Sequence, residues 1–177
     1  MKKETFTALY SIDVSKKTEK KNNLTYLSWA WAWAEFMKVC PEAKYEIKHF
    51  DGKPWIYDPN LGYMVFTSIT VGDDTKEMWL PVMDGANKSM KDHPYKYQVK
   101  QKNWNTGKVE MVEKVCEAAS MFDINKTIMR CLTKNIGMFG LGLYIYAGED
   151  LPEDIREEEK NQRWEGLNNG QVNYQQR

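Results

Sequence analysis

A chain of 177 residues, 42 % hydrophobic and 28 % charged, has the size and composition of one globular domain, with or without a tail. No apolar run approaches the roughly 18 residues that a membrane-spanning helix needs, and the first residues lead into no signal peptide. Three cysteines without a CxxC pair argue against a disulfide framework and against a zinc site. We therefore expect a cytoplasmic protein that does not contact a membrane.

The net charge of zero conceals an uneven distribution of charge. Residues 84–135 contain ten bases and six acids, whereas residues 149–177 contain four bases and eight acids. Aromatic residues make up 13 % of the chain. A basic and aromatic middle is typical of proteins that bind single-stranded nucleic acid, although surplus aromatic side chains more often fill a core.

The N-terminal part of the chain predicts a strand and then a helix. Residues 5–15 alternate apolar and polar side chains as a strand does, although their apolar residues would also suit a short helix. Residues 16–23 predict a charged loop. Ser28 is expected to cap a helix over residues 29–39, which a proline ends.

The aromatic side chains around this helix have two interpretations. They could stack nucleobases, a contact worth about 1–3 kcal/mol per base. They are Tyr26, Trp29, Trp31 and Trp33. Since Trp29 and Trp33 share a helical face with Phe36, a place in the core is favoured for these two.

Three strand-like runs follow, at residues 45–50, 63–71 and 75–82, and turn signals separate them. Connections this short join only antiparallel neighbours. Residues 95–102 and 108–112 flank a second turn signal and predict a further hairpin.

The clearest helix spans residues 124–139, with Asp123 as its expected N-cap. Its apolar face consists of Ile124, Ile128, Cys131, Leu132 and Phe139. Lys126, Arg130 and Lys134 recur every fourth residue on another face, and we name these three the basic stripe. Like charges at this spacing oppose the helix by about 0.2–0.5 kcal/mol per pair, a cost that a phosphate backbone would reverse. An ordinary solvated face is the competing interpretation.

The loop at residues 84–91 is a second candidate contact for phosphate. It offers backbone N–H groups together with the side chains of Asn87, Lys88 and Lys91. Lys96, shortly after the loop, completes the candidate DNA-binding residues.

Enzymatic functions find little support in the sequence. The two histidines, His49 and His93, lie in different segments, and no phosphate-binding P-loop is present. We therefore predict no catalytic residue, no metal site and no cofactor. Glu46 and Lys48 match half of a magnesium-dependent nuclease motif, and that nuclease is kept as a minor alternative.

Two long segments resemble one family of proteins. The first is LSWAWAWA at residues 27–34, and the second joins FDINKTIMRCL at 122–132 to GLGLYIYAGEDLP at 140–152. Both are similar to the Sak-type single-strand annealing proteins of bacteriophages. That family resembles the DNA-binding half of the eukaryotic Rad-fifty-two protein and, more distantly, the phage Beta and RecT recombinases. The resemblance covers residues 5–152.

The resemblance implies an α+β fold with a β-β-β-α core, in which a helix packs across a curved antiparallel sheet. It also implies subunits joined in a ring or helical filament, and ATP-independent annealing of single-stranded DNA in phage homologous recombination. Arg130 falls where the family places an arginine on the wall of a basic groove, whereas Lys126 and Lys134 match more loosely. Residues 84–89 resemble the loop after the third strand, and residues 91–114 are longer than in the eukaryotic relative.

This resemblance also sets the expected domain organisation and the alternatives. We expect an annealing domain at residues 1–152 and a polar, partly disordered tail at residues 153–177. The tail would dock a single-strand-binding protein or a phage exonuclease in the cytoplasm of a bacterial host, or it would be an inert solubilising segment. The alternative functions are a protein that coats single-stranded DNA without annealing it, and the magnesium-dependent nuclease.

Overall fold

A computed structural model of the chain describes residues 3–21, 24–103 and 107–146. The chain divides into two compact units, residues 1–143 and 144–177. In the second unit only residues 144–146 are described, so the domain boundary at residue 152 and the tail lie outside the described residues. No helix in the described ranges is long and apolar enough to cross a membrane.

Three helices and eight strands make up the described part of the chain, which is an α+β fold. The helices are α1 (Lys3–Tyr10), α2 (Trp29–Val39) and α3 (Met121–Gly137). The strands are β1 (Thr18–Lys21), β2 (Leu24–Leu27), β3 (Lys44–Ile47), β4 (Ile56–Asp58), β5 (Gly62–Val71), β6 (Asp74–Pro81), β7 (Tyr95–Lys102) and β8 (Val109–Cys116). Every pair of neighbouring strands is antiparallel.

The central sheet is organised around β5. Strand β6 pairs along one edge of β5, from Met64 to Val71. Strands β3 and β4 share the opposite edge, where β3 pairs with Thr67–Thr70 and β4 pairs with Gly62–Met64. The three predicted strands and their antiparallel order are confirmed. The three-residue strand β4 was missed, because so short a segment carries no periodic pattern.

Helix α3 packs on one face of this sheet, against β5 and β6, and α2 packs against α3. The predicted apolar face of α3 is confirmed, since all five of its residues are buried. Polar contacts add to this packing. The Nδ2 group of Asn135, which is fully buried, donates to the carbonyl oxygens of Thr67 and Lys76, each at 3.1 Å. The thiol of Cys131 lies 3.3 Å from the carbonyl oxygen of Met78.

The N-terminus of α3 corrects the predicted cap. Ser120 is the N-cap, and Asp123 is the third residue of the helix. The Ser120 hydroxyl accepts from the Asp123 N–H at 3.3 Å, and the Asp123 carboxylate accepts from the Ser120 N–H at 3.1 Å. This reciprocal pair is a capping box, and it starts the helix three residues before the predicted position.

The N-terminal segment takes the second of its two predicted conformations. Residues 5–10 belong to helix α1 and not to a strand, because Phe6 and Tyr10, four residues apart, stack at 5.8 Å while Leu9 is fully buried. Residues 18–21 form strand β1, which pairs with β2, where a charged loop was expected.

Helix α2 has its predicted bounds, with Ser28 as the N-cap. Its buried residues are Ala32 and Phe36, and the Phe36 ring lies 5.5 Å from the ring of Phe139, just beyond the end of α3. The expectation that Trp29 lies in the core was wrong, since Trp29 is 47 % exposed. Trp33 is half-buried, 5.1 Å from the ring of Tyr45. The three cysteines are buried free thiols.

The contact between Asn135 and the sheet yields a stability prediction. We expect Asn135→Ala to lower the free energy of unfolding by about 3 kcal/mol, because it removes the side-chain donor to a buried and a partly buried carbonyl group and opens a small cavity. Urea denaturation of both proteins measures the difference. The matched control is Asn125→Ala on the exposed side of the same helix, for which a change beyond about 0.5 kcal/mol is not expected.

Candidate nucleic-acid interface

The basic stripe lies on the least buried line of α3. Residues 131–133 and 135–137 are all buried, because the sheet and α2 enclose this half of the helix. Arg130 and Lys134 remain half-buried and Lys126 is exposed. The spacing of the three residues therefore places their charged groups along one strip of surface that the packing of α3 leaves accessible.

Arg130 is held in place by an aromatic ring from another element. Its guanidinium carbon lies 4.8 Å from the centre of the Tyr26 ring on β2, within the range of a cation–π interaction. Stacking on one flat face leaves the edge of a guanidinium able to donate to a phosphate. We name Tyr26 together with the basic stripe the Arg130 surface.

The β1–β2 hairpin, which carries Tyr26, therefore borders the basic stripe. Tyr26 pairs with Glu19 of β1. The 3-10 turn that precedes β1 carries the exposed side chains of Lys16 and Lys17. The sequence interpretation missed this hairpin as part of the site. The alternation of Leu24, Tyr26 and their polar neighbours was the only signal, and four residues are too few to make it decisive.

Lys126 has partners within its own helix. Its ammonium group lies 3.0 Å from the carboxylate of Asp123 and 5.7 Å from the centre of the Phe122 ring. Burial opposes ionisation of Asp123, but hydrogen bonds from Ser120 and Lys126 outweigh it and lower the pKa of the carboxyl. A phosphate bound by Lys126 would therefore have to replace this carboxylate.

The loop at residues 84–91 uses part of its backbone for its own hydrogen bonds. The Asp84 carboxylate accepts from the N–H groups of Ala86 and Lys88, both at 2.8 Å, and the Asp84 carbonyl accepts from the N–H of Asn87 at 3.2 Å. Asn87 has a positive φ of 59°. These three N–H groups stabilise the turn itself, so a phosphate contact by this loop stays a prediction that rests on its side chains.

The side chains of this region are arranged around two tyrosines at the start of β7. The ammonium group of Lys88 lies 5.2 Å from the Tyr97 ring centre, and that of Lys91 lies 5.2 Å from the Tyr95 ring centre. Lys96 forms an exposed ion pair with Glu113 at 2.8 Å. Burial and the neighbouring Cys116 raise the pKa of Tyr95 to about 12.

The seven predicted DNA-binding residues thus fall into two groups. Among the described contacts, none joins the basic stripe to Asn87, Lys88, Lys91 or Lys96. Both groups border one core cluster, in which Met90 of the loop packs with Ile124 and Ile128 of α3. A DNA contact by either group stays a prediction.

Comparison with known proteins supplies the family. The Sak Single Strand Annealing Protein family matches residues 3–177. The chain belongs to this family. The resemblance inferred from the two sequence segments is confirmed, and the match is longer than the 5–152 that they covered. No curated protein and no solved structure matches the chain. Membership of the Sak family indicates single-stranded DNA annealing in recombination as the role of the protein.

The nuclease-like pair of this Sak protein lies away from the Arg130 surface. Thr67 faces α3, so its neighbour Ser68 and the residues paired with Ser68, Glu46 and Glu77, point to the opposite face of the sheet. Lys48 forms ion pairs of 3.2 Å with both Glu46 and Glu77. Cross-strand ion pairing accounts for the motif. In the described ranges no group of three His, Cys, Asp or Glu side chains could hold a metal ion.

The capping box gives a pH-dependent prediction for the helix that carries the stripe. We expect Asp123→Asn to lower the free energy of unfolding at neutral pH by about 1 kcal/mol. The pKa of Asp123 is lowered by folding, so its stabilising effect is present while the carboxyl is ionised and is lost as the pH falls through that pKa. The difference between the two proteins in urea denaturation should therefore disappear in acid.

The exposed turn residue Asp73 provides the control for this experiment. Asp73→Asn should leave stability nearly unchanged at both pH values, because surface substitutions away from caps have small effects. A destabilisation by Asp123→Asn that persists unchanged in acid would contradict the assignment of the ionised carboxylate to the cap.

Proposed function

We propose that this Sak-family protein binds single-stranded DNA on the Arg130 surface and anneals complementary strands during bacteriophage homologous recombination. It does so in the host cytoplasm, without ATP, without a cofactor and without making or breaking bonds. The observation that carries the proposal is the stacking of Arg130 on Tyr26, which joins the basic stripe of α3 to strand β2. Family membership supports the same function.

Annealing requires that two polyanions be brought together while their bases stay available for pairing. Cations that contact only phosphate meet this requirement, because they neutralise the backbone and leave the base edges free. The Tyr26 ring presents Arg130 in a fixed orientation and so lowers the entropic cost of each contact. Binding of this kind is independent of sequence and falls steeply with salt.

Assembly of several subunits follows from the size of the Arg130 surface. Lys134 follows Lys126 by eight positions, so the two residues are about 12 Å apart along the axis of α3. This distance spans only a few phosphates. High affinity for long DNA therefore needs many subunits in register along the strand. We propose a ring or helical filament with head-to-tail interfaces. Light scattering that reports a monomer, both alone and with long single-stranded DNA, would contradict this.

Residues 153–177 are proposed to act outside annealing itself. This polar tail would dock a single-strand-binding protein or a phage exonuclease through Trp164 and Leu167, which are three residues apart in the sequence. Truncation after Pro152 should leave annealing in vitro intact and reduce recombination in cells. Loss of annealing by the truncated protein in vitro would place the tail within the annealing domain.

Two other functions are separated by one assay. Complementary oligonucleotides are mixed with the protein in EDTA without nucleotide. Annealing supports the proposal, and protection of single strands without annealing identifies a coating protein. A cleavage activity that appears only when magnesium replaces EDTA identifies a nuclease.

A substitution at Arg130 tests the Arg130 surface directly. We expect Arg130→Ala to weaken binding of single-stranded DNA on the order of 10- to 100-fold, because it removes a charge-assisted hydrogen bond at each subunit. The slope of log K against log salt should fall by about 0.7 for each phosphate that the variant no longer neutralises. Fluorescence anisotropy with a labelled oligonucleotide measures both.

Two further variants control this experiment. Arg130→Lys keeps the charge without the planar group and should bind with intermediate affinity. Lys44→Ala removes an exposed lysine of β3 on the sheet face opposite α3 and should bind as the wild type does. An Arg130→Ala protein with normal affinity and a normal thermal melt would refute the assignment of Arg130 to DNA.

A further inference from the structure

We infer that the β7–β8 hairpin joins successive copies of this chain: the free edge of β8 pairs with the free edge of β7 in a second copy. This inference deepens the proposed function, since it rests on the proposed head-to-tail assembly and names the surface that builds it. The hairpin lies within residues 91–114 and their flanks, the stretch whose role the sequence left open.

The hairpin makes few contacts with the other described elements. Among the described elements, β7 and β8 each pack extensively only against the other. Tyr95, Tyr97 and Cys116 at its base contact the core cluster. A two-stranded hairpin is marginally stable on its own, so the outer part of this one gains from a further strand.

One row of β8 side chains is exposed and mostly apolar. Val109, Met111 and Val115 are 65 %, 59 % and 49 % exposed. They lie on one face of the hairpin together with Glu113, because side chains two residues apart share a face of a strand. The opposite face carries the tyrosines that meet the core. Exposed apolar side chains on a strand whose outer edge pairs with no other described strand favour pairing of that edge with a strand from another chain.

The backbone groups available for pairing follow from the register. Asn103 N–H donates to the Lys108 carbonyl at 2.8 Å. Bonded and non-bonded pairs alternate in an antiparallel ladder, so the pairs Lys100–Met111 and Gln98–Glu113 are non-bonded ones. Their N–H and C=O groups point outward, to the free edges of β7 and β8.

Charge favours pairing between unlike edges. Strand β7 contains three lysines and no acid, whereas β8 contains two glutamates and one lysine. Pairing β7 with β7 would bring lysines together, whereas pairing β8 with β7 can place Glu113 beside a lysine, as Lys96 and Glu113 already are within one hairpin at 2.8 Å. An antiparallel β8–β8 pair can also set Glu110 beside Lys114, but it is a closed two-fold contact and does not repeat into the proposed head-to-tail assembly.

The direction of the strands then fixes the type of assembly. Strand β8 is antiparallel to its own β7. An added β7 that is antiparallel to β8 runs in the same direction as the first β7. The second copy is therefore related to the first by a head-to-tail operation, which repeats into a ring or a helical filament and not into a closed two-fold dimer.

Proline substitutions at outward-pointing N–H groups test this interface. Met111→Pro blocks the free edge of β8, and Lys100→Pro blocks that of β7, while neither removes a bond within the hairpin. Each variant alone should lose the assembled state and run as a monomer in light scattering. A one-to-one mixture should contain a species of twice the monomer mass, because each variant retains the edge that the other lacks. Met111→Thr keeps the N–H and should assemble as the wild type does.

Charge reversal provides a second test that leaves the backbone unchanged. Lys100→Glu and Glu113→Lys should each disrupt assembly alone and should assemble together when mixed, because both edges of one variant then meet a complementary edge of the other. Thermal melts check that the variants are folded, so a loss of assembly is not confused with unfolding. Single variants of either kind that melt normally and keep the wild-type assembled mass overturn the inference, as does a mixture of the proline variants that gives no dimer or a mixture of the charge variants that does not assemble.

The outcome is distinguishable from a failure of the proposed function. If the wild type anneals as an assembly and the proline variants keep its size, the hairpin inference is wrong and the function stands. If the wild type neither binds nor anneals single-stranded DNA, the proposed function is wrong. Proline variants that keep the assembled mass but lose DNA binding would assign the hairpin to DNA and overturn its role between copies.

Discussion

The attachment of α3 to strands β5 and β6 is the constraint on which the rest of the structure depends. The Asn135 amide donates to carbonyl groups of both strands, so the helix has one rotational setting on the sheet. Because the side of α3 that carries Asn135 faces the sheet, the basic stripe faces away from β5. A rotation of α3 by even part of a turn would bury the guanidinium of Arg130 or separate it from Tyr26. The packing of the core therefore also fixes the position of the basic side chains.

The fold was predictable where a regular pattern of hydrophobic residues continues over many positions. The apolar residues of α3 recur through four turns, and the β5 and β6 runs are bounded by glycine, so both were identified from the sequence. The failures are local. Asp123 suits a cap by itself, but Ser120 takes that position because the two form a reciprocal pair. The sequence of α1 alternates apolar and polar residues as a strand does, but the segment forms a helix that buries Leu9.

Only part of the candidate site could be predicted from the sequence. Spacing alone places Lys126, Arg130 and Lys134 in one row. The Tyr26 ring, far from Arg130 in the sequence, enters through tertiary packing that no local pattern encodes. In the loop at residues 84–91 the composition did not reveal that the Asp84 carboxylate accepts from the N–H groups of Ala86 and Lys88, which a phosphate would otherwise bind.

The buried thiols have a practical chemical consequence. Burial raises the pKa of Cys40, Cys116 and Cys131, the last to about 11. The thiolate is the form that thiol-directed alkylating reagents attack, so the folded protein presents almost no reactive thiolate at neutral pH. A single cysteine introduced on the surface would take up a fluorophore with low background from the native thiols. Such a labelled protein would report strand capture and subunit exchange optically.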